Sequence, residues 1–383
     1  MSLPRRSFLA LTAAVGVTAA CSNPTTPPPS TSPTPVPSAS RAVGSPTPSS
    51  ATPSETPSEP SATPTKLGEP KATELVTGLT SPWGLVPLRD GGFLVSERDT
   101  RRIKRIVGRQ VAVVATVQDA EPNAEGGLLG LAATADARSV FAYFTSGRDN
   151  RIARFSWDGN RLGQPEVILD GIPYGARHNG GRMIVGPDNL LYVSTGETGD
   201  RELAQDRDSL AGKILRITTD GDPAPGNPFD NEVFSYGHRN VQGLVFDPEG
   251  RLWASEFGDS TWDELNLIKA GGNYGWPQVE GRGGGSDLID PLAVWSPSDA
   301  SPSGLTYWKG SLYLAALRGE RLWEVPLDGD EVGEPIAHFT ETYGRLRSVE
   351  VAADGESLLV LTNNTDGRTQ PRDGDDRLLR ITR

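Results

Sequence analysis

The chain has 383 residues, a formal net charge of -12 and a single cysteine. The length suits one large domain or two ordinary ones. The acidic balance argues against nucleic acid as a partner, because phosphate binding needs clustered lysine and arginine. One cysteine excludes an intrachain disulfide and a cysteine-based zinc site.

The first 21 residues have the pattern of an export signal. Arg5 and Arg6 form a twin-arginine pattern, and an apolar run continues from Phe8 to Ala20. Small residues then precede Cys21, as in a bacterial lipobox. We predict a twin-arginine-type lipoprotein signal peptide over residues 1–21 with Cys21 lipidated; an ordinary secretory signal with an incidental cysteine is the alternative. The apolar run is shorter than the roughly 20 residues of a permanent span.

The mature protein is therefore expected to be extracytoplasmic and held to the membrane through its lipid only. Residues 22–66 consist almost entirely of proline, serine, threonine and alanine. Such a segment lacks the apolar side chains that could offset the entropy of ordering it. We predict a disordered tether that holds the folded domain clear of the membrane and cell wall.

Residues 67–383 show short apolar alternations separated by turn residues, without a sustained 3.6-residue helical period. Six units of the form strand, turn, strand recur at roughly 45 to 60 residues, the spacing of propeller blades. The pattern predicts an all-β fold, a six-bladed β-propeller of four-stranded antiparallel blades; a large pair of β-sandwiches is the alternative. The units are Gly84–Ser96, Leu129–Tyr143, Gly181–Ser194, Gly243–Trp253, Gly304–Leu314 and Val349–Leu361.

Two sets of polar residues stand at predicted strand ends. His178 lies in a glycine-rich loop before the third unit, where it is either a general base or a histidine that bonds a turn. Arginines in different blades would converge on one face, as a receptor for a planar polyanion, or else remain solvated on the surface. These arginines are Arg239, Arg318, Arg345 and Arg347.

A run of hard oxygen ligands follows the fourth unit. Asp259, Asp263 and Glu264, together with nearby backbone carbonyls, suit Ca²⁺, which takes six to eight oxygen ligands. A second glycine-rich strand entry, Glu125–Gly130, lets the backbone approach a ligand closely, although it is not a phosphate loop.

Seven segments taken together resemble the quinoprotein sugar dehydrogenases, the family of soluble glucose, aldose sugar and sorbosone dehydrogenases. The resemblance covers residues 81–362. Its segments are Pro82–Leu85, Glu125–Gly130, His178–Arg182, Ala204–Arg216, Tyr236–Leu244, Asp263–Ile268 and Asn273–Pro277.

The resemblance implies an enzyme that uses pyrroloquinoline quinone (PQQ) and Ca²⁺ to oxidise an aldose at C1 to a lactone, and that passes electrons to an external acceptor. His178 matches the family's general base, which takes the proton of the anomeric hydroxyl while a hydride leaves C1. Arg239 matches the arginine that stabilises charge on the quinone oxygen. Asn240 matches a quinone contact, and Glu125 stands beside the quinone and sugar, where well-known members carry glutamine.

The same resemblance assigns the ion ligands and the carboxylate-binding residues. The carbonyls of Gly258 and Asp259 match the pair that holds the catalytic Ca²⁺. Glu264 and the Tyr274 carbonyl resemble a second, structural calcium site, and His238 is expected to be structural. The PQQ carboxylates would be held by Arg318, Arg345 and Arg347.

Two other functions are compatible with the sequence. One is a non-catalytic propeller that binds a glycan or a protein at the cell surface. The other is a propeller lactonase, which would use calcium without a quinone.

Overall fold

The computed structural model describes residues 68–383. The predicted signal peptide, Cys21 and the whole predicted tether lie outside these residues, so lipidation, the disordered tether and the location stay predictions. Within the described part, no helix is long and apolar enough to cross a membrane. Among residues 68–383, one short 3-10 helix, η1 (Arg201–Ala204), interrupts a succession of strands and loops.

The strands are short and follow one another closely. In chain order they are β1 (Lys71–Val76), β2 (Pro82–Pro87), β3 (Phe93–Glu97), β4 (Arg102–Val107), β5 (Gln110–Thr116), β6 (Leu128–Ala133), β7 (Ser139–Thr145), β8 (Asn150–Ser156), β9 (Glu166–Ile172), β10 (Met183–Val185), β11 (Leu191–Ser194), β12 (Lys213–Ile217), β13 (Val233–Tyr236), β14 (Val241–Phe246), β15 (Leu252–Glu256), β16 (Asp263–Ile268), β17 (Ala293–Trp295), β18 (Pro302–Trp308), β19 (Ser311–Ala316), β20 (Arg321–Asp328), β21 (Glu331–Val332), β22 (Ile336–His338), β23 (Leu346–Val351), β24 (Leu358–Thr362) and β25 (Leu378–Thr382).

These strands form six antiparallel sheets, one for each predicted repeat. Blades I to IV are β2–β5, β6–β9, β10–β13 and β14–β17, each paired in chain order. In blade V the outer position beside β20 is shared by two short strands, β21 and β22. Blade VI has the order β23-β24-β25-β1. The prediction of a six-bladed propeller is confirmed.

The two ends of the described chain meet in blade VI. Strand β1 pairs antiparallel with β25, so that Lys71 lies opposite Thr382 and Glu74 opposite Leu379. The last blade is thus completed by a strand from the start of the domain. This pairing closes the ring, because a sixth blade built from the C-terminal residues alone would have three strands.

Apolar side chains fill the spaces between neighbouring blades. Along β3, Phe93 and Val95 pack toward blade VI, whereas Leu94 packs toward blade II. This is the two-residue period of a strand that is buried on both faces. Six such clusters occur, one at each junction between blades.

The innermost strands of adjacent blades approach one another at backbone distance. A methyl group added at Gly130 in β6 would overlap the carbonyl oxygen of Gly181, just before β10. Serine hydroxyls also join the blades near the axis by donating to carbonyl oxygens of the next inner strand. These bonds run from Ser96 to Leu129, from Ser194 to Val241, from Ser255 to Ser303 and from Ser348 to Trp83.

Gly130→Ala should therefore destabilise the protein, because the new methyl group forces two inner strands apart. We expect a loss of about 1–3 kcal/mol in the free energy of unfolding, the usual cost of overpacking. Urea unfolding followed by fluorescence measures it. Gly68→Ala is the matched control, since nothing lies within 4 Å of its added methyl group. Equal midpoints for the two variants would contradict the proposed close approach.

Candidate active site

A cavity of about 460 Å³ opens where loops from the six blades converge. Ten of the candidate site residues named from the sequence line it, and they come from different blades. They are Glu125, His178, Arg239, Asn240, Gly258, Asp259, Asp263, Arg318, Arg345 and Arg347. Glu264 and Tyr274 line a second cavity of only about 10 Å³ instead.

Positive charge dominates the wall of the larger cavity. Six arginines line it, against the three carboxylates of Glu125, Asp259 and Asp263. Arg98 and Arg368 belong to this set and were not singled out from the sequence. Guanidinium groups that converge in this way bind a ligand carrying several carboxylates, through charge and paired hydrogen bonds.

His178 is held from both its backbone and its ring. The backbone of His178 lies in the left-handed region, at φ 56°. Its N–H donates to Oε2 of Glu125 at 2.9 Å. Its ring Nδ1 pairs with the carboxylate of Glu197, which is buried and also accepts the Gly199 N–H at 3.1 Å. A carboxylate on Nδ1 keeps the proton on that nitrogen and leaves Nε2 as the basic one.

Glu197 was not recognised in the sequence. It follows β11 in the stretch Thr195-Gly196-Glu197, which carries no periodic cue. The adjacent Gly196 has a clear spatial reason, because a methyl group there would overlap the carbonyl oxygen of His178. The loop after β11 therefore packs directly on the loop that carries the histidine.

Arg239 lies in the short segment between β13 and β14, where blade III ends and blade IV begins. Its guanidinium donates to Oδ1 of Asp259 at 2.9 Å and lies 5.3 Å from the ring centre of Trp276. Its Nε is buried and has no hydrogen-bond partner among residues 68–383. Arg201 completes the arrangement by donating to Oδ2 of Asp259 at 3.1 Å. Burial would raise the pKa of Asp259, but the two arginines hold it below its ordinary value.

Arg347 is the most deeply buried of the cavity arginines. It donates to Oε1 of Gln242 at 2.7 Å and lies 3.8 Å from Asp366, while its Nε has no partner among the described residues. Burial lowers the pKa of Arg347 to about 9. Arg345 donates to the same Asp366 at 3.1 Å, and Arg318 lies exposed at the rim. The buried cation is thus only partly compensated within the described chain.

The backbone carbonyls of Gly258 and Asp259 are the oxygen atoms that the sequence resemblance matched to a calcium site. Both residues line the larger cavity, and among residues 68–383 neither carbonyl accepts a hydrogen bond. The described part of the chain contains no cluster of three or more acidic, histidine or cysteine side chains suited to a metal. Asp263 accepts the N–H groups of Gly258 at 2.9 Å and Ser301 at 2.6 Å. Its carboxylate therefore anchors backbone, and burial raises the pKa of Asp263 to about 6.

Carboxylates also line the smaller cavity, which shares Gly258 with the larger one. Glu264 lines it with Glu256, Glu280 and the backbone near Tyr274. Burial, with the neighbouring charge of Glu256, raises the pKa of Glu264 to about 8. A cation held there would remove this penalty. His238 is fully buried beside it, paired with Glu256 at 2.9 Å and stacked on Tyr274.

Lys213 fixes the loop that carries Arg201. Its side chain is fully buried, and Nζ donates to the carbonyls of Leu203 at 2.7 Å, Ala204 at 3.2 Å and Ala211 at 2.6 Å. The bonds to Leu203 and Ala204 hold η1 against β12 of blade III. Burial lowers the pKa of Lys213 to about 7.

The chain is similar to known proteins over most of its described length. The sequence profile of the family described as Glucose / Sorbosone dehydrogenase matches residues 79–379. The chain is 29% identical to the Escherichia coli protein named Aldose sugar dehydrogenase YliI, over 76% of this chain and 89% of that one. It is 31% identical to Quinoprotein glucose dehydrogenase B of Acinetobacter calcoaceticus, over 57% of this chain and 56% of that one.

Among solved structures, the chain resembles the PQQ-bound form of Aldose Sugar Dehydrogenase from Streptomyces coelicolor. The two are 51% identical, with a TM-score of 0.79. The match covers 82% of this chain and 98% of that one.

Lys213→Met should remove one contribution to the pH dependence of the free energy of unfolding. The unfolded lysine keeps its proton up to its ordinary pKa of 10.5, whereas the folded one loses it near 7. Between these values the unfolded state binds more protons, so this lysine makes wild-type stability rise with pH. The variant lacks that rise and also leaves three carbonyls unpaired.

The gap in free energy of unfolding between wild type and Lys213→Met should therefore widen from pH 7 to pH 10. Urea unfolding at several pH values measures it. Lys309→Met removes a surface lysine paired with Glu356 and should track the wild type. Parallel curves for Lys213→Met would contradict the lowered pKa.

Proposed function

Because this chain belongs to the glucose and sorbosone dehydrogenase family, we propose that its larger cavity binds PQQ and a sugar and oxidises the sugar. The chain is an oxidoreductase of the sugar dehydrogenase class. The proposed substrate is an aldose, oxidised at C1 to a lactone. The observation that carries the proposal is the convergence of six arginines on a cavity whose wall also holds His178 paired with Glu197.

The residues present suit PQQ, a planar quinone that carries carboxylates. Arg347 and Arg239 each have a buried Nε without a partner among the described residues, so each retains a donor for an anionic ligand. Arg345 and Arg318 extend the positive surface toward the rim. A buried cation that lacks full compensation is costly to the free protein, and a carboxylate on the ligand would offset that cost. When bound, PQQ supplies the quinone that accepts the hydride leaving C1.

His178 acts as the general base on the sugar. Its Nε2 takes the proton of the C1 hydroxyl as the C1–H bond breaks, and the C1 oxygen becomes the lactone carbonyl. Glu197 holds the ring through Nδ1 and stabilises the imidazolium that forms. Arg239 contributes positive charge at the cavity wall, while Asp259 and Trp276 fix its orientation. Asn240 is held by accepting the Gly180 N–H at 3.1 Å, which leaves its amide nitrogen for the ligand.

Calcium is the second part of the proposal. The Gly258 and Asp259 carbonyls would hold one ion in the larger cavity, where it would act as a Lewis acid. Glu264 and the Tyr274 carbonyl would hold a second, structural ion in the smaller cavity, where three glutamates supply negative charge. The external electron acceptor and the lipid-anchored, extracytoplasmic location remain predictions, the latter from residues 1–21.

His178→Ala should abolish most of the activity while leaving cofactor binding intact. Purified protein is reconstituted with PQQ and Ca²⁺, and dye reduction is assayed with a panel of aldoses. Loss of a general base lowers kcat by about 10²–10⁴. Glu197→Gln should lower kcat less, because the base remains but is no longer held in one tautomer.

His338→Ala provides the matched control, since His338 pairs with Glu324 at the outer edge of blade V. Full turnover by His178→Ala would contradict the assignment of His178 as the general base. Absence of turnover by the wild type on every sugar would remove the proposed reaction.

Arg347→Met should weaken PQQ binding without unfolding the protein, because methionine can fill the volume of the arginine stem. One charged hydrogen bond contributes about 1.5–3 kcal/mol, so the Kd should rise about 10- to 100-fold. Absorbance titration with PQQ at saturating Ca²⁺ measures it. Arg318→Met at the exposed rim should have a smaller effect.

The PQQ titration and a lactone hydrolysis assay separate the other functions suggested by the sequence. A cell-surface binding module should give no quinone absorbance change and no thermal stabilisation by PQQ. A lactonase should hydrolyse a sugar lactone in PQQ-free buffer. Either result would overturn the dehydrogenase assignment of the cavity.

A further inference from the structure

One carboxylate oxygen gathers four consecutive backbone N–H groups beside the larger cavity. Oε1 of Glu280 accepts the amides of residues 259, 260, 261 and 262 at 2.7, 2.9, 2.8 and 2.9 Å. A single oxygen rarely satisfies so many amides, and charge makes each such bond stronger than a neutral one. Burial would raise the pKa of Glu280, but these donors hold it below its ordinary value. The carboxylate is therefore a fixed centre around which the loop turns.

The direction of the amides determines the direction of two carbonyls. In a planar trans peptide, the C=O of one residue points opposite to the N–H of the next. The Asp259 N–H points at Glu280, so the Gly258 carbonyl points away from it. The Ser260 N–H also points at Glu280, so the Asp259 carbonyl likewise points away from Glu280. These are the two carbonyls proposed above to hold the ion.

The residues that line the two cavities differ along this loop. Glu280 lines the smaller cavity, whereas Asp259 lines the larger one. Gly258 borders both cavities. The two carbonyls therefore point away from a residue that lines only the smaller cavity, and both belong to residues that line the larger one.

Two neighbouring features hold the start of the loop in the same geometry. Asp263 accepts the Gly258 N–H at 2.9 Å, so that five successive amides end on carboxylates. Gly258 must be glycine, because an added methyl group would overlap the Trp262 carbonyl oxygen and lie 2.7 Å from the Glu280 oxygen. The residues 259–262 themselves are exposed, so apolar packing does not fix them.

We propose that Glu280 is a positioning residue for the cation site: by binding the 259–262 amides it turns the Gly258 and Asp259 carbonyls into the larger cavity. This inference rests on the calcium part of the proposed function. Glu280 does not touch the ion of the larger cavity or the substrate in this scheme. It acts through the backbone, and its negative charge matters because a neutral amide oxygen holds four donors less well.

The experiment compares Glu280→Gln and Glu280→Ala with the wild type in two measurements. The first is hydrogen exchange of the 259–262 amides in calcium-free, PQQ-free protein. The second is the Ca²⁺ concentration that gives half-maximal PQQ binding, read by quinone absorbance. We expect exchange to accelerate at least tenfold in both variants, and the half-maximal Ca²⁺ concentration to rise about tenfold or more, with Glu280→Gln the milder.

Asp247→Asn is the matched control. Asp247 is another carboxylate of blade IV that accepts two backbone amides, from Glu249 and Arg251, in the hairpin between β14 and β15. Its loss can lower stability but should leave the Ca²⁺ dependence at the wild-type value. A general loss of stability is thereby separated from an effect on the ion.

Three results would overturn the inference. Amides that stay protected in the Glu280 variants would show that the carboxylate does not hold them. Released amides with an unchanged Ca²⁺ requirement would show that the carbonyls do not depend on it. A wild type whose PQQ binding needs no Ca²⁺ would remove the calcium part of the proposed function as well, whereas the first two results leave that part standing.

Discussion

The cavity exists only because six sheets close into a ring at backbone distance. Adjacent inner strands reach backbone contact at glycine, as where Gly130 lies against the Gly181 carbonyl. The ring is completed by β1 from the start of the domain, which pairs with β25. Loops that are distant in sequence then meet at one end, and each contributes a side chain to a common wall.

The cavity keeps positive charge that the protein itself compensates only in part. Arg347 shares Asp366 with Arg345, and its Nε has no partner among the described residues. Burying such a group costs stability, since a charge taken from water needs full pairing to recover the loss. The site is thus prepared for an anion before one arrives. Glu125 shows the opposite case, because Arg368 neutralises it while it holds the backbone of His178.

The sequence predicts the fold well because its signals are local. Alternating apolar residues and glycine-containing turns recur in each blade, and the structure has one sheet for each of the six units. The residues of the larger cavity were found where a family motif marks them, as at His178. Partners that act across loops were missed: Glu197 is 19 residues from His178, and Arg368 is 243 residues from Glu125. No sequence period or motif links such pairs. No local sequence rule reveals that β1 completes blade VI either.

The acidic residues around the cavity explain a further difference between sequence and structure. Clustered carboxylates in the sequence suggested side-chain ligands for calcium, yet several of them bind backbone amides of the loops. Asp263 holds Gly258 and Ser301, Glu280 holds residues 259–262, and Glu256 holds the amide of Arg239. An arginine-rich cavity built on loops needs those loops fixed, since apolar packing is scarce there. Carboxylates beneath the loops do this, and their negative charge also favours the arginines above them. The side chains thus shape the site indirectly, by deciding which way the backbone presents its carbonyl oxygens.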